Sequence, residues 1–461
     1  MIICLGDGSS ISDIAAQEIA KNRSMRYLGI LDSHTTCEDG VYHTSKYDIK
    51  PQQLLEIIND STEFVILDNA DIELIAVTGQ NPVLQYLETN KSFCALAFTS
   101  VLQDHNQYRF CCYQHKPVTV TDTFDFSSNS EMNSIRQRMI NNQSVDHCKY
   151  CMDAEEESRA PIRKIKTREI IDLLGFTSVQ DIIEFSQPVD YDIIVGNQCN
   201  AMCRMCHPDD SHLIDKEYYK LGITKKQLGI VASTTFDIVD IHTAKKVYVA
   251  GGEPTVSQEF ISFLEKCIEE KCTDFYLQIN TNAFVLSSKF IKLIEKFTQV
   301  QFIVSVDGYQ DALYYIRYPI NWDKLTKNIK QLNALGDICF NHTISIYNVG
   351  RMYDLFNFFS REYPTKTSLI CYADQPTQLW FGNHPNKYQV LQEIEKCKTL
   401  QSYKTNTNFH NDINHIEQTI LTHTLDHELL DKFYAFNDLL DMSRNLKLAD
   451  YMPELVIGNI K

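Results

Sequence analysis

Between residues 190 and 385 short β-rich runs alternate with amphipathic helical stretches, and few folds accommodate that alternation. The runs cover approximately 192–195, 246–250, 275–280, 302–305, 340–346 and 368–371. Helical periodicity fills 257–271, 287–297, 322–335, 349–361 and 386–400. A strand followed by a helix returns the chain to the end of the sheet where it began, so successive strands pair in parallel. The pattern therefore predicts an α/β fold. In such folds the chemistry sits at the carboxyl ends of the strands. Motifs directly after each run are the first candidates.

The run at 191–195 leads into Cys199-Asn200-Ala201-Met202-Cys203-Arg204-Met205-Cys206. This C-x3-C-x2-C spacing lets one short loop turn three thiolates toward a single point. Iron–sulfur clusters are normally held by four cysteines, so three leave one iron with an open position. Zinc sites use paired C-x2-C or Cys/His pairs instead, and buried structural cysteines need no spacing. The triplet resembles the radical S-adenosylmethionine (radical SAM) family. The resemblance implies a 4Fe–4S cluster on Cys199, Cys203 and Cys206 whose open iron binds the amino and carboxylate groups of SAM. It implies reductive cleavage of SAM to methionine and a 5′-deoxyadenosyl radical, which abstracts hydrogen from a substrate. It also implies that the six βα units form a partial (β/α)6 barrel.

Further motifs follow the other strands. After the second comes Gly251-Gly252-Glu253-Pro254. Glycines let a backbone approach a ligand closely, and the stretch is similar to the family motif that meets the SAM amino group. After the third comes Asn280-Thr281-Asn282, where Asn280 or Asn282 resembles a polar SAM contact, although polar turn residues are common. After the fourth comes Ser305-Val306-Asp307-Gly308. The resemblance gives Ser305 a ribose or carboxylate contact, and Asp307 a SAM contact or a turn-forming role. Arg317 resembles the family arginine that meets the methionyl carboxylate, for which a guanidinium has matching bidentate geometry. Asn348 stands where relatives place a SAM-contacting Asn. Cys267 shares a helical face with Phe260, Phe263 and Leu264 and reads as core.

A second set of cysteines precedes the triplet: Cys94, Cys111-Cys112 and the C-x2-C pair Cys148 and Cys151. A C-x2-C pair is a common metal half-site. Zinc and iron–sulfur are equally compatible with four thiolates on spacing alone. The segment resembles the auxiliary-cluster module called SPASM or Twitch, with Asn106 in the place of a usual glycine. That register favours Cys111 over Cys112. The resemblance extends to 133–139 and to Glu155, Ser158 and Arg159. It implies an auxiliary 4Fe–4S cluster on Cys94, Cys111, Cys148 and Cys151, fully ligated and suited to electron relay or structure.

Four segments follow: a small α/β domain at 1–90, the auxiliary module at 91–165, the radical SAM core at 166–385 and a helical segment at 386–461. In the first, runs at 2–5, 27–31 and 64–67 read as strands, 11–21 and 51–59 as helices, and 6–10 as an ordinary strand–helix turn. Cys4 and Cys37 read as structural. In the last, 427–446 reads as an amphipathic helix that packs across the open side of the barrel.

The net charge of −17 argues against non-specific binding to nucleic acid, which needs a positive surface. No apolar run approaches the ~18 residues of a membrane span, and the N-terminus lacks the marks of a signal peptide. Fifteen cysteines in a chain of 461 residues suit a reducing cytoplasm. An electron donor such as flavodoxin or ferredoxin is implied, and the resemblance favours a peptide or protein substrate. The alternative is a non-catalytic iron–sulfur electron-transfer or regulatory protein on the same fold, which would bind SAM without cleaving it.

Overall fold

The computed structural model describes residues 81–456 apart from 121–122, 157–160, 186, 232–234 and 374, together with the backbone of six short strands ahead of residue 81. The expected helices at 11–21 and 51–59, the turn after Gly6, the roles of Cys4 and Cys37, and Ser158 with Arg159 lie outside the described residues.

Strands β1 (Ile2–Gly6), β2 (Arg26–Ile30) and β6 (Glu63–Ile66) form a parallel sheet with β1 in the middle. In sequence between β2 and β6, β3 (Thr36–Glu38), β4 (Val41–His43) and β5 (Asp48–Ile49) make a separate antiparallel sheet.

The main sheet has eight strands. They are β7 (Ser100–Asp104), β8 (Gln107–Arg109), β9 (Asp190–Ile194), β11 (Lys246–Ala250), β12 (Tyr276–Thr281), β13 (Val300–Ser305), β15 (Asp337–Ile344) and β16 (Thr367–Tyr372). The remaining two, β10 (Met202–Cys203) and β14 (Arg317–Tyr318), pair with each other. The spatial order is β16-β15-β13-β12-β11-β9-β7-β8, parallel throughout except for the β7–β8 hairpin. The protein is thus an α/β fold with a mostly parallel sheet. The six runs read from the sequence correspond to β9, β11, β12, β13, β15 and β16.

Strand β7 was not legible. It comes from the segment of the second cysteine set, yet it pairs in parallel with β9, Ser100 opposite Asp190 through Asp104 opposite Ile194. Its partner lies ninety residues downstream, so no local pattern announces the pairing. In the β7–β8 hairpin the left-handed residue is His105 (φ 56), one position before the Asn106 singled out above.

Alternation sets which face is buried. Tyr191, Ile193, Val247, Val249, Leu277, Ile279, Phe302 and Val304 point into the apolar core. The helices Gln258–Glu269, Ser288–Ile294 and Trp322–Asn333 cover them with Phe260, Leu264, Phe290, Ile294, Leu325 and Ile329. Cys267 is fully buried in this layer. Each of these helices starts on a side-chain cap, from Ser257, Ser287 and Asn321 respectively, which satisfies free N–H groups of the first turn. The helix His427–Arg444 packs Leu430, Phe433 and Leu440 into a separate cluster with Tyr315, Tyr347 and Ile214. Among the described residues no helix is long and apolar enough to cross a membrane.

Candidate functional site

The cysteine triplet lies in the loop that leaves β9, and the Gly-Gly-Glu-Pro turn after β11 is laid against it. Val195 N–H donates to the Ala250 carbonyl at 2.8 Å, Gly252 N–H to Gly196 at 2.7 Å and Glu253 N–H to Gln198 at 2.9 Å. The two backbones are so close that a Cβ on Gly252 would stand 2.3 Å from the Gln198 carbonyl oxygen, and Gly251 holds φ +116. Only glycine fits both positions. Gly252→Ala is therefore expected to push the two loops apart and to cut retention of metal at the triplet about tenfold or more. Iron per chain after desalting, compared with wild type, measures it.

Glu253 is buried, and its carboxylate is fully engaged. One oxygen accepts from Thr255 N–H at 3.1 Å, Thr255 Oγ1 at 2.7 Å and Thr281 Oγ1 at 2.6 Å, and the other from Asn282 N–H at 2.7 Å. It acts as a brace between the ends of β11 and β12. Burial pushes its pKa up, and these hydrogen bonds oppose the rise. Pro254 opens the short buried turn that follows. Asn282 continues the brace, donating to Asn200 Oδ1 at 2.7 Å and lying 3.9 Å from Cys199 Sγ. Asn280 is still within β12, with Ser305 Oγ 3.4 Å from its Oδ1, whereas Asn282 lies just past the strand end. Of the two asparagines, it is Asn282 that touches the triplet loop.

Cys203 is held from the other side. The strands β10 and β14 pair it with Arg317, and Met202 with Tyr318. The Arg317 guanidinium lies 3.8 Å from Cys203 Sγ through Nη1 and forms a buried ion pair with Asp307 through Nε. Asp307 in turn accepts from Thr343 N–H at 2.7 Å, and Asn348 donates to the Asp307 carbonyl at 2.9 Å. Asp307, Arg317 and Asn348 thus form one buried unit against Cys203.

Burial raises all three thiols. Cys199 is pushed up to about 12, with Cys203 and Glu253 adding to the rise. Cys203 is raised although Arg317 opposes it, and Cys206 is raised well above the usual thiol range with help from Cys203 and Cys199. Thiols in such surroundings stay protonated on their own, and thiolates there need a positive centre among them. A thiol-binding metal centre fits this donor set.

Arg204, inside the triplet, is a residue the sequence reading passed over. It is completely buried. Its Nε donates to the Tyr315 carbonyl at 2.9 Å and its Nη1 to Asn437 Oδ1 at 2.8 Å, and it forms an ion pair with Asp441. The guanidinium lies 3.5 Å from the centre of the Tyr315 ring, and Tyr347 OH also donates to Asn437 at 2.8 Å. Arg444 of the same C-terminal helix makes a double contact to Glu217, at 3.0 and 2.6 Å. The helix His427–Arg444 therefore clamps the triplet loop. The one available signal was the spacing of Asn437 and Asp441, four apart on one helical face.

Cys94, Cys111, Cys148 and Cys151 line a single cavity, together with Phe110 and Met139. After burial, the neighbouring thiols are what raise their pKa values: Cys111 responds to Cys94 and Cys148, Cys148 to Cys94 and Cys151, and Cys151 to Cys94. Cys112 is exposed and does not line this cavity. Among the described residues no three His, Cys, Asp or Glu side chains, those of the triplet included, are closed around one point as a single bound ion requires; the four thiols of the second set surround a space instead. Arg163 fixes this corner, donating to the Phe93 carbonyl at 2.8 Å and pairing with Glu155 at 2.7 Å. Arg136 holds the helix Ser130–Ile140 to the Ala97 carbonyl at 2.8 Å.

Residues 193–358 match the model of the Radical SAM superfamily. A protein described as "Probable GTP 3′,8-cyclase" from Methanocaldococcus jannaschii is 25% identical over 171 residues, 32% of this chain and 53% of that protein. The match therefore spans about half the length of that curated relative. Among solved structures, Streptococcus suis SuiB bound to the precursor peptide SuiA shows 13% identity over 57% of this chain and 62% of that chain, with a TM-score of 0.31. Native anSMEcpe with bound AdoMet shows 17% identity over 40% of this chain and 51% of that chain, with a TM-score of 0.30. Likenesses this shallow carry no detail of the site.

Proposed function

We propose that this chain is a radical SAM enzyme with two iron–sulfur sites. The observation that carries the reading is the triplet loop itself, with three thiols at the end of β9 and the Gly251–Gly252 backbone locked against their approach. Cys199, Cys203 and Cys206 hold the catalytic 4Fe–4S cluster, and Gly251, Gly252, Glu253, Pro254, Asn280, Ser305, Asp307, Arg317 and Asn348 form the SAM-binding surroundings. When bound, cluster and SAM supply an electron and a 5′-deoxyadenosyl radical that takes hydrogen from the substrate. The chain's own residues do the positioning. Arg317 places a positive charge beside Cys203 and offsets thiolate charge in a site of low dielectric. Glu253 and Asn282 fix the Gly-Gly turn relative to Cys199. Ser305 and Asn280 offer polar groups on the face where SAM or substrate lies.

Cys94, Cys111, Cys148 and Cys151 hold an auxiliary 4Fe–4S cluster of the Twitch or SPASM type. Their convergence on one cavity, from three separate stretches of chain, supports this. The substrate is a peptide or protein, and a flavodoxin or ferredoxin supplies the electron. The test is anaerobic incubation of reconstituted protein with SAM and dithionite. Formation of methionine and 5′-deoxyadenosine, abolished by Cys203→Ala, is the expected result. SAM binding without cleavage would favour a non-catalytic iron–sulfur protein.

A further inference from the structure

The sheet face turned away from the helices is polar. Strand register sets Leu102, Asp192, Tyr248, Gln278, Gln301 and Asp337 side by side across β7, β9, β11, β12, β13 and β15. Most of the polar groups on this face are tied to one another. Asp190 accepts from Ser100 Oγ at 3.0 Å and lies 3.6 Å from Lys246 Nζ. Lys166 is paired with Glu169 at 2.8 Å. Gln278 donates to Gln301 at 2.7 Å, and Asp337 holds Gln301 at 3.0 Å and Lys366 at 2.8 Å.

Asp192 is the exception. Among the described residues its half-buried carboxylate has no hydrogen bond and no ion pair. The charges around it cancel in pairs, Asp190 with Lys246 and Lys166 with Glu169, which leaves one uncompensated acid. A carboxylate in this position is stabilised by any cation that reaches it. Burial, followed by the neighbouring Asp190, raises its pKa above the ordinary carboxylate range. The exposed thiol of Cys112 and the phenol of Tyr248 both lie within its electrostatic reach. The net charge of −17 also draws cations toward the molecule.

We infer that Asp192, with Tyr248 and Cys112 beside it, forms a subsite that takes a positively charged group of the substrate, a protonated amine or a guanidinium. The inference deepens the radical SAM reading and rests on it for the direction from which substrate arrives. Asp192 binds and orients that group, and Tyr248 walls the position on the β11 side.

The test uses the reconstituted full chain at low salt and about pH 8.5, where an Asp192 carboxyl raised to about 7 is ionised, with Cys112 as a native reporter. Two methanethiosulfonate reagents are compared, one carrying trimethylammonium and one carrying sulfonate, each normalised to free cysteine, with Cys112 labelling read by peptide mass spectrometry. The expected result is a preference for the cationic reagent of about tenfold. Asp192→Asn is expected to bring the ratio near parity, and Asp192→Glu to keep the preference. Parity in wild type, or a preference that Asp192→Asn leaves unchanged, overturns the subsite. So does a Cys112 closed to both reagents, since the thiol would then belong to the metal site. Iron content and SAM cleavage are read on the same samples. Retained iron and cleavage with parity in the labelling ratio overturns the subsite alone, whereas their loss overturns the radical SAM reading and with it the assignment of the bound group to a substrate.

Discussion

Protein carrying Cys199→Ala, Cys203→Ala and Cys206→Ala together is expected to hold about four irons per chain where wild type holds about eight. The expectation follows from the separation of the two thiol sets. One lies in the loop after β9, and the other lines a cavity among Cys94, Cys111, Cys148 and Cys151. Emptying one leaves the donors of the other intact. Addition of SAM is expected to change the EPR signal of reduced wild type and not that of the triple variant. Within the second set, Cys111→Ala is expected to lose iron and Cys112→Ala to keep it, because only Cys111 faces the cavity. About four irons in wild type, all lost in the triple variant, would return the second set to zinc or structure. No iron at all in wild type would end the enzyme reading.

Arg204→Met is expected to destabilise the protein by about 3–5 kcal/mol, the usual cost of leaving one member of a buried ion pair alone. Its guanidinium neutralises Asp441 and satisfies both Asn437 and the Tyr315 carbonyl, all in the interior. Removal strands the Asp441 carboxylate, with only Tyr315 OH at 3.2 Å and Leu448 N–H at 2.6 Å left to it. A loss of that size is a large share of the ~5–15 kcal/mol that holds a typical domain folded. Because Arg204 directly follows Cys203, iron at the triplet is expected to fall before iron at the second set. Arg204→Met with Asp441→Leu is expected to recover most of the stability, since replacing a whole buried pair with apolar groups is often close to neutral. Denaturant midpoints together with iron per chain separate the two effects. Equal losses in the single and double variants would show that the charge pair does not carry the clamp.

Several parts of the fold were legible because their signals are local. Strands β9, β11, β12, β13, β15 and β16 announce themselves as apolar runs between amphipathic helices, and a parallel βα alternation has few ways to assemble. The helix Trp322–Asn333 shows both its cap, Asn321, and its apolar stripe. The triplet and the Gly-Gly-Glu-Pro turn are contiguous, so their chemistry can be read without knowing what packs beside them. Side-chain direction was harder to read. Sequence left Asn280 and Asn282 as equals, and alternation alone would put both on one face; the chain leaves β12 at Thr281, so Asn280 stays beside Ser305 while Asn282, past the strand end, turns to the triplet loop. Glu253 and Arg317 carry charges that suit a ligand, yet their nearest partners are Thr281 and Asn282 for the first and Asp307 for the second.

By itself the sequence determined the α/β class, the order of the six core strands along the chain and the identity of seven clustered thiols, because periodicity and short spacing are properties of neighbouring residues. Tertiary structure alone decided that β7 joins the edge of the sheet beside β9, that Asn282 and not Asn280 meets the triplet loop, and that Asp441 reaches back to Arg204 across more than two hundred residues. Those contacts depend on which faces meet when the core closes. A buried arginine or a cavity of thiols is fixed by the exclusion of water from a particular junction, and nothing in the adjoining sequence records where that junction falls.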